Sequence, residues 1–362
     1  MSSTLVIVGK SLEINEPFLD YVKSQIPLHV EKILFLQKSD KDIFENLEKI
    51  ITTSNKTIIV ASKESFNLIG KVLSTLSEDS LELKEDTLIP SKSTNFSKDT
   101  YLIEYKENLV NVLLARENEL LPEIFLEEEN KSAKFSLIGL DEDTTKILLN
   151  PLAETYEIKL ESTSMVEGWS LVEASTYKYG NIESFLKSTK SLFPDKFIPT
   201  DDILAHIVSS LTKAGKTISV AESCTGGKIA SMITSISGSS EIFHGSVISY
   251  ANHIKRGWLG VSEDTLNSYG AVSELCVREM LEGVLKLSNS DFALATSGIA
   301  GPNGGSKEKP VGTVYVGARD KEGNVIIERL LLKGDRNYIQ TQSCYHAFRL
   351  LFYVGKEIFF KI

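Results

Sequence analysis

Ser219–Val220–Ala221–Glu222–Ser223–Cys224–Thr225–Gly226–Gly227 is the stretch whose reading decides the fold of the second half of this chain. A short apolar run, residues 217–221, leads into it, and a helical pattern, residues 228–234, leads out. An apolar run, a turn with two glycines and a helix together make a strand-to-helix connection. A hydroxyl at such a turn is exposed, and the helix behind it starts with N–H groups that lack partners within the helix. Two readings share these residue types. In one, Ser223 or Thr225 caps the helix and the glycines serve the turn. In the other, Ser223 is a nucleophile, and the neighbouring stretches must supply its base.

Working outward, residues 202–362 read as alternating strands and helices. Thr200 to Asp202 can cap a helix with Ile203, Ile207 and Leu211 on its apolar face. Residues 243–250 alternate toward a strand that ends at Tyr250–Ala251–Asn252–His253–Ile254–Lys255, read as a loop. Ser273 caps a long helix over residues 274–287. Residues 292–297 form a buried-type strand running into Gly298–Ile299–Ala300–Gly301–Pro302–Asn303–Gly304–Gly305–Ser306. Residues 311–318 and 325–332 pair as a hairpin, and Gly334–Asp335–Arg336 opens the last helix. Three strand ends therefore carry unusual loops. If they converge, they bring together a hydroxyl, a phenol, an amine and free backbone N–H groups. Burial disfavours the charged form of an amine, so a dry Lys255 can take the Ser223 proton, directly or through Tyr250. No His–Asp pair is in evidence, so a serine–lysine arrangement fits better than a serine–histidine one. Cys224 is the chemical rival, since a thiolate is the stronger nucleophile. A catalytic cysteine is normally activated by a base such as histidine, and none stands near it in sequence.

The bulk numbers narrow the function class. With 362 residues the chain has room for two or three domains. Its net charge of -10, with lysines and glutamates mixed throughout, disfavours a nucleic-acid partner. No apolar run approaches a membrane span, and residues 1–9 read as a first strand and not a signal peptide. Three cysteines with no paired spacing suit a reducing cytoplasm, and the scattered histidines show no metal-ligand spacing. In the first half, runs at 5–8, 33–36 and 57–60 alternate with helical patterns at 18–26, 43–51 and 66–76, predicting βαβ units around a mostly parallel sheet. Residues 102–105 and 109–114 add a hairpin or edge pair turning at Lys106–Glu107–Asn108. The strand ends Gly9–Lys10–Ser11 and Ala61–Ser62–Lys63 carry no phosphate loop, and Glu13 and Glu16 nearby read as solvated acids. An acid-rich stretch, residues 117–131, leads into a small α+β module over 133–190. Prolines mark residues 191–201 as a linker. The fold class is therefore α/β: a mostly parallel sheet domain over 1–132, the module, the linker, and an α/β/α domain over 202–362.

Residues 202–362 resemble the CinA C-terminal domain family, also found as stand-alone nicotinamide mononucleotide deamidases. The resemblance is carried by Ala221–Glu222–Ser223–Cys224–Thr225–Gly226–Gly227, Gly238–Ser239–Ser240, Tyr250–Ala251–Asn252 with Lys255, Leu259–Gly260–Val261, Gly270–Ala271–Val272–Ser273, the Ser297-to-Gly305 loop, Lys309–Pro310–Val311–Gly312–Thr313–Val314 and Gly334–Asp335–Arg336. It implies hydrolysis of the carboxamide of nicotinamide mononucleotide with no metal or organic cofactor, and a homodimer. It also implies that Ser223, Tyr250 and Lys255 are catalytic. Thr225, Gly226, Gly227, Ser297, Gly298, Gly301, Asn303, Gly304 and Arg336 then bind substrate. Backbone N–H groups near Gly226 and Gly227 are the expected oxyanion hole. The substrate phosphate is expected at a helix N-terminus or on Arg336.

The first half resembles the family's molybdopterin-binding-like domain in layout only. The family's Gly-Thr-acidic first loop is Gly9–Lys10–Ser11–Leu12–Glu13 here, and its Gly-Gly-Leu-Gly-Pro-Thr loop is Ala61–Ser62–Lys63–Glu64–Ser65–Phe66. The metal-dependent ADP-ribose pyrophosphatase activity ascribed to that domain is accordingly expected to be lost. Such a pyrophosphatase is one rival to the deamidase. A non-enzymic nucleotide-binding protein linked to competence or DNA damage is the other.

Overall fold

The computed structural model describes residues 3–127, 132–176 and 179–360. It divides into two compact units, Met1–Glu129 and Asn130–Ile362. The acid-rich stretch at 117–131 ends in residues 128–131, which lie outside the described residues.

In the first unit, β1 (Ser3–Val8), α1 (Lys10–Ile14), α2 (Glu16–Gln25), β2 (Lys32–Leu36), α3 (Ile43–Thr52), β3 (Lys56–Ser62) and α4 (Lys63–Leu76) alternate as expected. A small two-stranded ribbon, β4 (Leu81–Lys84) and β5 (Thr87–Pro90), follows. Then come β6 (Asn95–Ser97), β7 (Thr100–Tyr105) and β8 (Asn108–Ala115). The six-stranded sheet runs β2-β1-β3-β8-β7-β6. β2, β1, β3 and β8 are parallel, and β7 and β6 antiparallel. The period of two sorts the side chains by face. Val6, Val8, Ile59 and Ala61 pack with Leu47, Ile51, Ile69 and Leu73 of α3 and α4. Leu5, Ile7, Ile58 and Val60 pack with Leu12, Phe18, Leu19 and Val22 of α1 and α2. The turn at Lys106–Glu107–Asn108 is where expected, with Lys106 and Glu107 at positive φ. β8 lies inside the sheet rather than at its edge, because β3 takes its other side.

The second unit begins with β9 (Ser132–Ile138), α5 (Glu142–Thr155), β10 (Ile158–Val166), β11 (Trp169–Thr176), α6 (Ile182–Leu192) and β12 (Phe197–Ile198). The sheet order is β10-β11-β9-β12. The stretch read as a linker thus contributes β12, antiparallel to β9. One face of this sheet, with Phe135, Leu137, Val172 and Ala174, buries against α5 and α6. Its other face, with Ile138, Trp169 and Ile198, joins the core of the residues that follow.

Those residues form α7 (Ile203–Ala214), β13 (Ile218–Glu222), α8 (Lys228–Thr234), β14 (Phe243–Ile248), α9 (Asn252–Leu259), α10 (Glu263–Ser268), α11 (Glu274–Ser288), β15 (Phe292–Gly298), β16 (Thr313–Asp320), β17 (Val325–Leu331), α12 (Arg336–Val354) and α13 (Lys356–Phe359). The sheet order is β14-β13-β15-β16-β17, the first three parallel and the last two antiparallel. Ile218, Val220 and Leu294 face α7, α8 and α12. Ala221, Ala293 and Ala295 face Cys276, Val277, Met280 and Leu281 of α11. The caps fall where the sequence placed them: Asp202 accepts from Ala205 N at 2.9 Å and Ser273 from Cys276 N at 3.3 Å. Three parallel strands end at one edge of the sheet, so the turns after β13, β14 and β15 lie together there.

One helix contact fixes the height of α9 over that edge. Gly283 of α11 has no side chain because a Cβ there would stand 2.0 Å from the Leu259 carbonyl oxygen at the end of α9. Backbone cannot yield as a side-chain tip can, so overpacking costs at least the usual 1–3 kcal/mol or so. Gly283→Ala should therefore lower the melting temperature and displace α9. A thermal melt indistinguishable from the parent would show that α9 is not pinned at this point.

Candidate active site

The turn after β13 is built around a buried carboxylate. Glu222, the last residue of the strand, has 0% exposure. Its Oε2 accepts from Gly227 N at 3.0 Å, Ile229 N at 3.1 Å and the Thr225 hydroxyl at 2.7 Å. Its Oε1 accepts from Ala230 N at 3.0 Å and the Ser246 hydroxyl at 3.3 Å. The orphan donors of α8 are thus satisfied by the protein's own anion. Gly227, at φ 99, lets the chain turn into the helix, and Gly226 N donates to the Ser223 carbonyl at 3.2 Å. This corrects two expectations. The N–H groups of Gly226 and Gly227 are already spent, so neither is an oxyanion donor. The N-terminus of α8 holds a carboxylate, so it is not a phosphate site. Thr225 serves the same network, also meeting Thr296 Oγ1 of β15 at 2.7 Å.

Clamped in this way, the turn presents Ser223, whose N–H donates to Thr296 O at 3.0 Å. Opposite it stands Lys255, 1% exposed, on the first turn of α9. Its Nζ lies 2.9 Å from Ser223 Oγ, 2.5 Å from the Ser249 carbonyl and 3.5 Å from the Tyr250 carbonyl. The stretch read as a loop at 250–255 is therefore largely helix. Its buried positions are Lys255 and Leu259, so its inward stripe is half amine and the apolar pattern does not show it. Among the described residues no carboxylate forms an ion pair with Lys255. Burial pulls the ammonium below the ordinary lysine value. A neutral amine has two N–H groups and one lone pair. Two carbonyls stand ready for the N–H groups, which leaves the lone pair for the Ser223 proton.

Tyr250 is placed differently from its expected relay role. It brings its carbonyl to Lys255, while its ring is 61% exposed and its hydroxyl accepts from Arg336 Nη2 at 3.0 Å. Arg336 Nη1 donates to the Gly301 carbonyl at 2.8 Å. Cys224 lines the cleft, but burial pushes its thiol up to about 12, so it stays protonated at neutral pH. The cleft, about 210 Å³, is lined by Ser223, Cys224, Tyr250, Asn252, Lys255, Ala271, Val272, Ser297, Gly298, Ala300 and Arg336. Ser297 donates to the Ala271 carbonyl at 2.7 Å, tying β15 to the segment before α11. Of the expected substrate-binding residues, Ser297, Gly298 and Arg336 line the cleft, and Gly301 touches it through Arg336. Asn303 and Gly304 are exposed and stand outside its lining, as do Thr225, Gly226 and Gly227. Asn252, the Ser249 carbonyl and the structural role of Glu222 were not singled out from sequence. A carboxylate ending an apolar strand just before two glycines is the signal that marks Glu222. No group of three or more His, Cys, Asp or Glu suited to a metal occurs among the described residues.

Comparison with known proteins places the chain in a family. Residues 200–354 match the family model of the CinA C-terminal domain. A competence-damage inducible protein of Caldanaerobacter subterraneus subsp. tengcongensis is 32% identical over 290 residues, covering 75% of this chain and 69% of its own. The chain belongs to the CinA family. A competence-damage inducible protein of Thermoanaerobacter sp. (strain X514) is 34% identical over 279 residues, covering 72% of this chain and 66% of its own. The chain thus spans about two thirds of the length of these curated relatives. The crystal structure of competence/damage inducible protein CihA from Agrobacterium tumefaciens is 40% identical, covers 42% of this chain and 96% of its own, and has a TM-score of 0.42. No helix among the described residues is long and apolar enough to cross a membrane.

The Glu222 network makes a prediction separable from chemistry. Glu222→Gln replaces one acceptor oxygen by a donor and sets it against N–H groups. It should cost about 1–3 kcal/mol for the donors left unpaired. Thermal unfolding measures this, and an unchanged melting temperature would show that α8 does not depend on the carboxylate.

Proposed function

We propose that this CinA-family chain is an amidohydrolase that converts nicotinamide mononucleotide to nicotinate mononucleotide and ammonia. The observation that carries the reading is the Lys255 amine, buried without an ion-paired carboxylate, 2.9 Å from Ser223 Oγ. In this mechanism neutral Lys255 takes the hydroxyl proton as Ser223 Oγ bonds to the carboxamide carbon. The resulting ammonium then protonates the departing nitrogen, and ammonia leaves an acyl-serine. Lys255, neutral again, takes a proton from the water that attacks the acyl carbon, and gives it to Ser223 Oγ as the acyl C–O bond breaks, which releases the acid and restores Ser223.

The oxyanion needs donors that the turn has not spent. The Ser223 carbonyl accepts from Gly226 N, and the Cys224 carbonyl accepts from Gln340 Nε2 at 2.7 Å. The peptide planes on both sides of Cys224 are therefore held from their carbonyl sides. The Cys224 N–H meets no other residue among those described, and in this reading it receives the oxyanion. Arg336 supports a phosphate-bearing substrate. It sits in the first turn of α12, where the helix dipole disfavours a cation, and both its partners, the Gly301 carbonyl and the Tyr250 hydroxyl, are uncharged. Its charge is left for an anion that can take a planar, two-toothed hydrogen bond.

Ammonia release from nicotinamide mononucleotide tests the reading. Ser223→Ala and Lys255→Met should each lower kcat by roughly a thousandfold or more, with melting curves showing both folded. A fully active Ser223→Ala protein would remove the mechanism. The rate should also climb as pH rises, because only the uncharged amine is a base. The rise should level off below the ordinary lysine value of 10.5, since burial lowers Lys255. A rate that falls through that range would mean that Lys255 acts charged.

A further inference from the structure

A second cavity, about 140 Å³, lies between the sheet of β9 to β12 and the helices α7 and α12, and shares no lining residue with the Ser223 cleft. Ser136 of β9 and Trp169 of β11 line it. Both are on the sheet face away from α5 and α6, on neighbouring antiparallel strands. Ser136 is 0% and Trp169 1% exposed, and neither Ser136 Oγ nor Trp169 Nε1 has a hydrogen-bond partner among the described residues. Buried polar groups are almost always paired. Two orphans bordering one cavity point to an occupant that supplies what the protein withholds. An indole N–H can only donate, so the occupant carries an acceptor.

The rim sets its charge. Asp201 and Asp202 line the cavity and no lysine or arginine does. Asp202 also caps α7 through Ala205 N, so that helix start is already satisfied, while Asp201 is shared with Lys134 at 3.5 Å. An anion is disfavoured, and N–H donors are favoured. At about 140 Å³ the cavity is smaller than the 210 Å³ Ser223 cleft, and its lining holds no cation to meet a phosphate, which disfavours a nucleotide. An acceptor beside N–H donors in one small uncharged group is a primary amide, which is itself planar. We infer that this cavity is a binding site for a small, planar, uncharged primary amide, held by Trp169 Nε1 and Ser136 Oγ. Both polar atoms are covered without the occupant, so entry needs a lining side chain to shift. Met165 in the wall is the flexible one.

The test uses the full chain, nicotinamide as probe and nicotinate as its anionic counterpart. With 15N-labelled tryptophan, nicotinamide should saturably shift the Trp169 indole resonance, identified by its loss in Trp169→Phe, and nicotinate should not. Calorimetry should show this binding lost in Trp169→Phe and weakened about three- to tenfold in Ser136→Ala. Nicotinamide held in the Ser223 cleft would survive both substitutions, so unchanged affinity in both overturns the inference. So does an unshifted Trp169 resonance, an equal response to nicotinate, or a cavity holding only ordered water at saturating nicotinamide. Should Trp169→Phe not fold, Ser136→Ala decides.

Discussion

Glu222 ties together the strand it ends, the turn it precedes, the helix after the turn and the strand beside it. Its two oxygens accept from the Thr225 hydroxyl, three backbone N–H groups and the Ser246 hydroxyl of β14. Through Thr225 the network reaches Thr296 of β15. A buried carboxylate is costly unless its lone pairs are met, and here five donors meet them. The consequence for chemistry is indirect. The helix dipole, which elsewhere holds a ligand's anion, is spent on holding the turn. Ser223 is therefore positioned by a rigid frame whose charge is already balanced, and anion recognition must be found elsewhere in the cleft.

That division leaves the state of Lys255 to a contest between two effects. Desolvation favours the neutral amine and pulls Lys255 below the ordinary lysine value. A carboxylate at 4 Å would oppose this with about 4 kcal/mol at an effective dielectric constant of 20. Such a partner would favour the ammonium. Glu222 is spent on α8, and the carbonyls of Ser249 and Tyr250 offer dipoles rather than a full charge. Desolvation prevails, and the amine is set up as a base beside a hydroxyl. The two flanking thiols do not compete for the role, since burial raises Cys224 to about 12 and Cys276 to about 11.

Much of this was legible from residue order. The helix over 228–234, the hairpin of β16 and β17 and the caps at Asp202 and Ser273 follow from period and cap chemistry, which act over a few residues. The convergence of Ser223 and Lys255 followed from two parallel strand ends. What was hidden depends on side chains acting against type. α9 escaped because a lysine occupies its inward stripe. Glu222 escaped because a charged residue in a strand reads as solvent-facing, whereas here it faces donors. β4 and β5 escaped because their ribbon carries exposed residues such as Leu83, giving no inside-outside alternation. The hydroxyl of Tyr250 was read as a relay between Ser223 and Lys255 because Tyr250 and Lys255 share one strand-end stretch. The backbone turn in fact sends the carbonyl inward and the ring outward.

The first unit shows that cavity size does not choose the chemistry. Its strand-end cleft, about 470 Å³, is larger than the one at Ser223. It is lined by Gly9, Lys10, Ser11, Gln37, Lys38, Ser39, Ser62, Glu64 and Ser65. A divalent cation for phosphate hydrolysis wants several hard oxygen ligands, carboxylates first among them. Glu64 is the one carboxylate in this lining, and two lysines repel a cation. Glu13 stands close in sequence, but it is engaged by Lys10 at 3.1 Å and by Gln37 at 2.5 Å. Lysines and hydroxyls at the strand ends give the cleft a character unsuited to a divalent cation while the parallel sheet beneath it is an ordinary one. The fold supplies a cleft of this shape, and the side chains at the strand ends determine what can react there.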